Sequence, residues 1–272
     1  MIPPLFWLNL TTLTLIFGGL ALYALGLHVL ERRVSRYVAH RLGWRGVLIT
    51  GWLGVPLHEL SHILMAKLFG HRIIAYRLFE PDPVSGTLGY VRHSYRHPTL
   101  WQRSGYFFIG IAPLLAGSAL LLSLLAWMAG GFSPLLNVLQ PWSTVSSVEQ
   151  LWQQLPLLGW NAQKLFELIW QRSEPALLMA QLYLGICVAA HMAPSRADLG
   201  TALSGVLSLV GLLLAGGALG AIFGVSCAGT TQTLTLLPLF LLLVGIWQLA
   251  LVATLALFER LRHGPRRATG RS

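Results

Sequence analysis

Six continuous apolar runs decide the solvent in which this chain folds. Positions 5–30, 47–69, 105–129, 176–193, 200–225 and 234–258 are each long enough to cross a hydrocarbon layer of about 30 Å, which takes roughly 20 helical residues. The runs do not alternate in polarity, so they do not read as the roughly ten-residue strands of a membrane barrel. Hydrophobic residues make up 55% of the chain, charged ones 10%, and mean hydropathy is +0.65, a balance outside that of ordinary soluble domains. The expected fold class is an all-α polytopic membrane protein with about six transmembrane helices and one membrane-embedded domain over 1–272. The first run lacks a basic flank and a small-x-small cleavage site before Arg32, and it exceeds a signal-peptide core in length, so it is expected to be retained. Cys187 and Cys227 have no spacing typical of a zinc ribbon or disulfide framework.

The net charge is +10, which in a soluble protein would point to nucleic acid. Here the arginines gather at the ends of apolar runs, at 32, 33, 36, 41 and 45 and again at 260, 262, 266, 267 and 271. That placement fits anionic lipid headgroups and the positive-inside rule, so the lipid bilayer and not nucleic acid is the expected partner. Between the first two runs, Val34, Tyr37, Val38 and Leu42 recur at helical spacing opposite the arginines, which reads either as an interfacial amphipathic helix or as a solvated basic loop.

After the second run the texture changes. Positions 73–79 and 87–95 are rich in aromatic and β-branched residues, and the turn-forming stretch 80–86 separates them. A membrane-associated β-hairpin over about 72–96 is expected. The connection 130–174 carries Trp142, Trp152, Trp160 and Trp170 among polar residues, as helical pieces in a headgroup zone would. Gly and Ala are frequent from 211 to 224, which lets helices approach closely in lipid.

Within the second run stands His58-Glu59-Leu60-Ser61-His62. On a helix this H-E-x-x-H spacing puts both imidazoles on one face, one turn apart, where they can hold one metal ion while Glu59 reaches a water bound to it. His58 lies roughly 16 Å of helix from either end of its run, at about 1.5 Å per residue. Ionisable groups that deep cost several kcal/mol unless they are paired, bound to metal or facing water. The competing interpretation is a structural polar cluster.

A catalytic zinc takes three protein ligands and keeps one open position. The chain has two aspartates, and Asp198 follows His191 and the helix-breaking Pro194 between the fourth and fifth runs. Counting membrane crossings brings Asp198 to the same side as the end of the motif-bearing helix. Asp198 reads either as the third ligand or as an N-terminal cap of the fifth helix. Glu149, Glu167 and Glu174 are the candidates if the third ligand is instead a glutamate. His71, His93 and His97 read as solvated loop histidines outside the site.

From about Gly51 to Gly205 the sequence resembles the site-2 protease family of intramembrane zinc metalloproteases. That family carries H-E-x-x-H on one transmembrane helix, a membrane-associated β-hairpin after it, and an N-x-x-P-x-x-x-x-D-G-like motif near the end of a later helix. His58, Glu59 and His62 match the first motif, and Pro194 and Asp198 the second. This chain departs from the pattern in three ways: the proline-to-aspartate spacing is one residue shorter, Leu199 precedes Gly200, and His191 stands where the family has Asn. The resemblance implies one zinc ion per chain held by His58, His62 and Asp198, with Glu59 as general base. It leaves His191 as an alternative ligand, a donor to the substrate carbonyl, or a structural residue.

The function expected on these grounds is zinc-dependent endoproteolysis of a membrane-spanning or membrane-anchored protein. Strands 73–79 and 87–95 would present the substrate in extended form. The alternatives are another membrane H-E-x-x-H metalloprotease, a metal or proton transporter, or an inactive relative that binds membrane helices. The charge pattern places the site near the cytoplasmic side, although Arg32 to Arg45 then fall on the outside, against the positive-inside rule.

Overall fold

The computed structural model describes residues 43–96, 99–139 and 157–222, with the single positions 26, 28, 29 and 153. The expected helix 234–258, nearly all of 5–30 and the basic stretch 31–42 lie outside the described residues. Seven helices and one two-stranded sheet make up the rest. Helix α1 (Gly43–Leu68) is followed by strands β1 (Arg72–Arg77) and β2 (Tyr90–Ser94). Then come α2 (Leu100–Gly110), α3 (Ala112–Met128), α4 (Phe132–Leu139), α5 (Leu157–Arg172), α6 (Pro175–His191) and α7 (Arg196–Ile222).

Helix α1 is 26 residues of mean hydropathy 1.2, and it is the one helix among the described residues that is by itself long and apolar enough to cross a membrane. It ends at Gly70, whose φ of +71° suits a residue without a Cβ. The His71 amide reaches back to Ala66 O (2.8 Å) and the Gly70 amide to Lys67 O (3.0 Å), closing the last turn. Leu60, Leu64 and Leu68 form an exposed apolar stripe along α1, while Ala66 and Phe69 on its other side are buried.

The expected single span 105–129 is instead two helices, α2 and α3, bent by 56°. Pro113 in the first turn of α3 is the cause: it has no N–H, and its ring clashes with the carbonyl four residues earlier. A second break, of 64°, separates α6 from α7 at Met192 to Ser195, around Pro194. Each bent pair passes the length and hydropathy test when its halves are taken together, which gives one to three candidate spans among the described residues.

The larger core joins α3, α4, α5 and α6 through Leu114, Leu121, Leu125, Leu135, Leu165, Val188 and Met192. A smaller one joins α2 to α7 through Phe107, Ile111, Ala202 and Leu209. Two glycines bring the site-bearing helices into backbone contact. A Cβ on Gly54 of α1 would lie 2.6 Å from His191 Cδ2, and one on Gly110 of α2 would lie 2.7 Å from Ala202 Cβ.

The hairpin forms where expected but is more compact. Strands β1 and β2 pair antiparallel with a bulge between Ile73 and Ala75, and outside them Glu80 N–Leu88 O and Asp82 N–Thr87 O (both 2.8 Å) continue toward the turn. There Asp82 accepts from Ser85 Oγ (2.6 Å) and the Val84 amide (2.9 Å), and these bonds, the Ser85 hydroxyl first, hold its carboxyl below the ordinary carboxylate range. A lowered folded pKa means that this stabilisation is present above the carboxylate's unfolded value and is lost as pH falls through the folded one. Asp82→Ala is therefore expected to raise amide hydrogen exchange at Val84 to Gly86 severalfold at neutral pH. The difference from wild type should vanish under strongly acidic conditions.

Candidate metal centre

The motif lies wholly on α1, so His58 and His62 sit one turn apart on one face, with their Nε2 atoms 3.2 Å from each other. Their other ring nitrogens face backbone carbonyls. His58 Nδ1 lies 2.7 Å from His191 O, and His62 Nδ1 lies 2.8 Å from Ile109 O. A carbonyl accepts and never donates, so each Nδ1 carries the hydrogen and each Nε2 of the neutral ring is a bare lone pair.

Those two carbonyls lack their usual helical donors because prolines break the helices that contain them. Ile109 O is four residues before Pro113, which has no N–H to offer it. His191 O would be the helical acceptor for the Ser195 amide, but beyond Pro194 that amide donates to Asp198 Oδ2 at 2.8 Å. The breaks that bend the two helix pairs thus also orient the two imidazoles.

Asp198 occupies the first turn of α7. Its amide donates to Ser195 Oγ (3.2 Å) while its carboxylate accepts the Ser195 amide, a reciprocal capping arrangement. The same carboxylate faces the histidines, with Oδ2 3.4 Å from His58 Nε2 and Oδ1 3.2 Å from His62 Nε2. The cap of α7 is thus Ser195, with Asp198 its reciprocal partner three residues on, and the Asp198 carboxylate stands beside both imidazoles as well. Two bare lone pairs beside a carboxylate repel one another unless a proton or a metal cation stands between them. The three donor atoms lie within 4.8 Å of one another, and His58, His62 and Asp198 form a group that could hold a metal ion.

No family model, no curated protein and no solved structure matches this chain.

Glu59 is buried, yet its carboxylate makes no hydrogen bond with another described residue. It lines a cavity of about 400 Å³ together with His58, His62, Asp198 and strand β2. Gly89, just before β2, closes over it: a Cβ there would lie 3.0 Å from Glu59 Cγ. A carboxylate one residue from a ligand, without a competing partner and beside a cavity, is placed to take a proton from a water.

The His191 ring stands apart from the group of three donors. Its Nε2 lies 3.1 Å from Thr50 Oγ1, and the residue serves the site through its backbone carbonyl. Of the candidate glutamates, Glu167 is exposed and accepts from Gln163 Nε2 (2.9 Å), Glu174 is exposed, and Glu149 lies outside the described residues. The hairpin histidines differ from the solvated loop residues expected. His71 is buried at 5% exposure and His93 lines the cavity, because the hairpin docks on α2; His97 lies outside the described residues. A helix position would have shown its partners by spacing, but a strand residue facing a distant helix carries no such signal.

Proposed function

We propose that this chain is a zinc-dependent intramembrane endopeptidase of the site-2 protease type, acting on a membrane-spanning or membrane-anchored protein. The observation that carries this reading is the pair of imidazoles whose Nδ1–H groups are held by backbone carbonyls, with both bare Nε2 atoms and Asp198 converging beside the unpartnered Glu59. Three protein donors of nitrogen and oxygen leave a tetrahedral position open, as hydrolytic zinc sites do. Zinc in such a place supplies Lewis acidity, polarising a carbonyl and acidifying a water.

The protein's own part follows from where its groups stand. Glu59 takes the proton of the attacking water as the new C–O bond forms and then returns it to the amide nitrogen, after which the peptide C–N bond breaks and the amine leaves. Gly89 to Val91 run consecutively along the cavity, and a two-stranded sheet leaves β2 an outer edge. A substrate strand added there would meet the centre extended, with its carbonyls freed from helical hydrogen bonds. Prolines introduced into that edge are expected to abolish cleavage of a cognate substrate.

Support for a membrane setting comes from the stripe Leu60, Leu64 and Leu68 and from Leu203 and Leu207 of α7, all exposed at 41–85%. A multi-pass arrangement with the site near the cytoplasmic face accords with the arginines of the hairpin connection, with Arg196 and with the basic tail, and leaves Arg32 to Arg45 against the positive-inside rule. Glu59, with no hydrogen-bond partner among the described residues, argues against an inactive relative that only binds membrane helices, since binding alone needs no such carboxylate.

Metal analysis of the purified protein tests the reading. About one zinc per chain is expected, and His58→Ala should remove most of it. Zinc-free wild type that gains none on reconstitution would overturn the proposal.

A further inference from the structure

A second histidine pair links the cavity to the body of the protein, and none of the steps above uses it. His71 Nε2 lies 2.9 Å from Gln102 O on α2, so that nitrogen must carry a hydrogen. In the neutral ring His71 Nδ1 is then an acceptor, and it lies 2.9 Å from His93 Nδ1. His93 must therefore donate from Nδ1, and its Nε2 is left bare. This second lone pair has no partner among the described residues, and His93 is half-buried at the wall of the cavity.

Packing fixes the pair. Tyr106 of α2 meets both rings edge-on or tilted, at 5.2 Å from His71 and 5.6 Å from His93, and Tyr95 meets His71 at 5.1 Å. Burial first, then the neighbouring His71 and His62, pushes His93 down to about 4, so its ring is neutral at physiological pH. His93 is not among the donors of the metal group. It stands on β2, whose residues line the cavity from Gly89 onward.

We propose that His93 is a substrate-binding residue whose Nε2 accepts a hydrogen bond from a backbone N–H of a peptide held in the cavity. In this arrangement His71 and the Gln102 carbonyl act as positioning groups that fix its tautomer. A substrate strand paired along the edge of β2 turns its remaining N–H groups away from β2, so the N–H that meets His93 belongs to peptide that has left the edge and entered the cavity lined by His93 and the metal group. With its Nδ1–H engaged by His71, the ring offers a peptide only the acceptor Nε2, which pairs with an N–H and leaves a carbonyl presented in its place without a donor, and this sets the register of the bound peptide. The inference rests on the peptidase reading above, which supplies the peptide.

The test uses binding, not turnover. Zinc-loaded full-length protein in detergent micelles is titrated with a short leucine-containing peptide hydroxamate and with the same compound carrying one N-methyl group, on the single backbone amide whose methylation weakens wild-type binding without being matched by a proline substitution in the β2 edge. Wild type should favour the N–H compound about tenfold, the worth of one good hydrogen bond. His93→Leu should reduce that preference to within about twofold while zinc content and thermal unfolding stay unchanged. His93→Gln, whose amide can donate to His71 and still accept from the ligand, should restore it. Equal preference in wild type and His93→Leu, or no restoration by Gln, overturns the assignment of His93 while leaving the metal centre intact. Failure of the hydroxamate to bind zinc-loaded wild type at all overturns the peptidase reading, and this inference with it.

Discussion

Glu59→Gln is expected to keep the metal and lose the chemistry. The substitution preserves volume and shape at a buried position closely covered by Gly89, so the fold around it is retained. His58, His62 and Asp198 are untouched, and zinc content should remain about one per chain. An amide cannot take a proton from water, so cleavage should fall by about a hundredfold to ten-thousandfold, the usual contribution of a positioned general base. Zinc content and cleavage measured on the same preparation check both halves. Retained cleavage would remove Glu59 from the base role without touching the metal centre. The inactive variant is also the form in which to trap the natural substrate.

Asp198→Ala is expected to have the other large effect, and it should act in two separable ways. The carboxylate faces both imidazoles and also accepts the Ser195 amide. Loss of the first role should lower zinc affinity by more than about a hundredfold, since even residues that only support a ligand are worth tenfold to a hundredfold. Loss of the second should cost about 1 kcal/mol at the start of α7. Asp198→Asn separates them, because its amide oxygen can still accept from Ser195 but carries no charge. It should unfold at nearly the wild-type temperature while binding zinc almost as poorly as Asp198→Ala. An Asn variant with full zinc affinity would exclude Asp198 from the ligand set.

The metal group was legible in the sequence to the extent that its information is local. His58, Glu59 and His62 are set by helical spacing, and an apolar run around them makes a helix the only economical fold. Asp198 could be paired with them only by counting membrane crossings and by resemblance to a family, because its distance from the histidines is tertiary. The hairpin was readable from its aromatic and β-branched strands and its turn, although the described strands are shorter than the segments expected. The break at Ile111 was not anticipated: hydropathy runs unbroken through 105–129, and the single Pro113 decides the geometry without altering it. The place of His93 was hidden for a related reason, since nothing within the hairpin states which face will meet α2.

The carbonyls of Ile109 and His191 have a consequence in time as well as in space. His58 is anchored by a residue 133 positions further along the chain and His62 by one 47 positions further. While the polypeptide is being synthesised, α1 emerges before the residues that anchor it, with both imidazoles free to turn. The proposed hydrolytic centre therefore comes into being only when the later bent helices have docked. A nascent or truncated chain would be harmless to its neighbours, with latency built into the order of assembly and no inhibitory segment required.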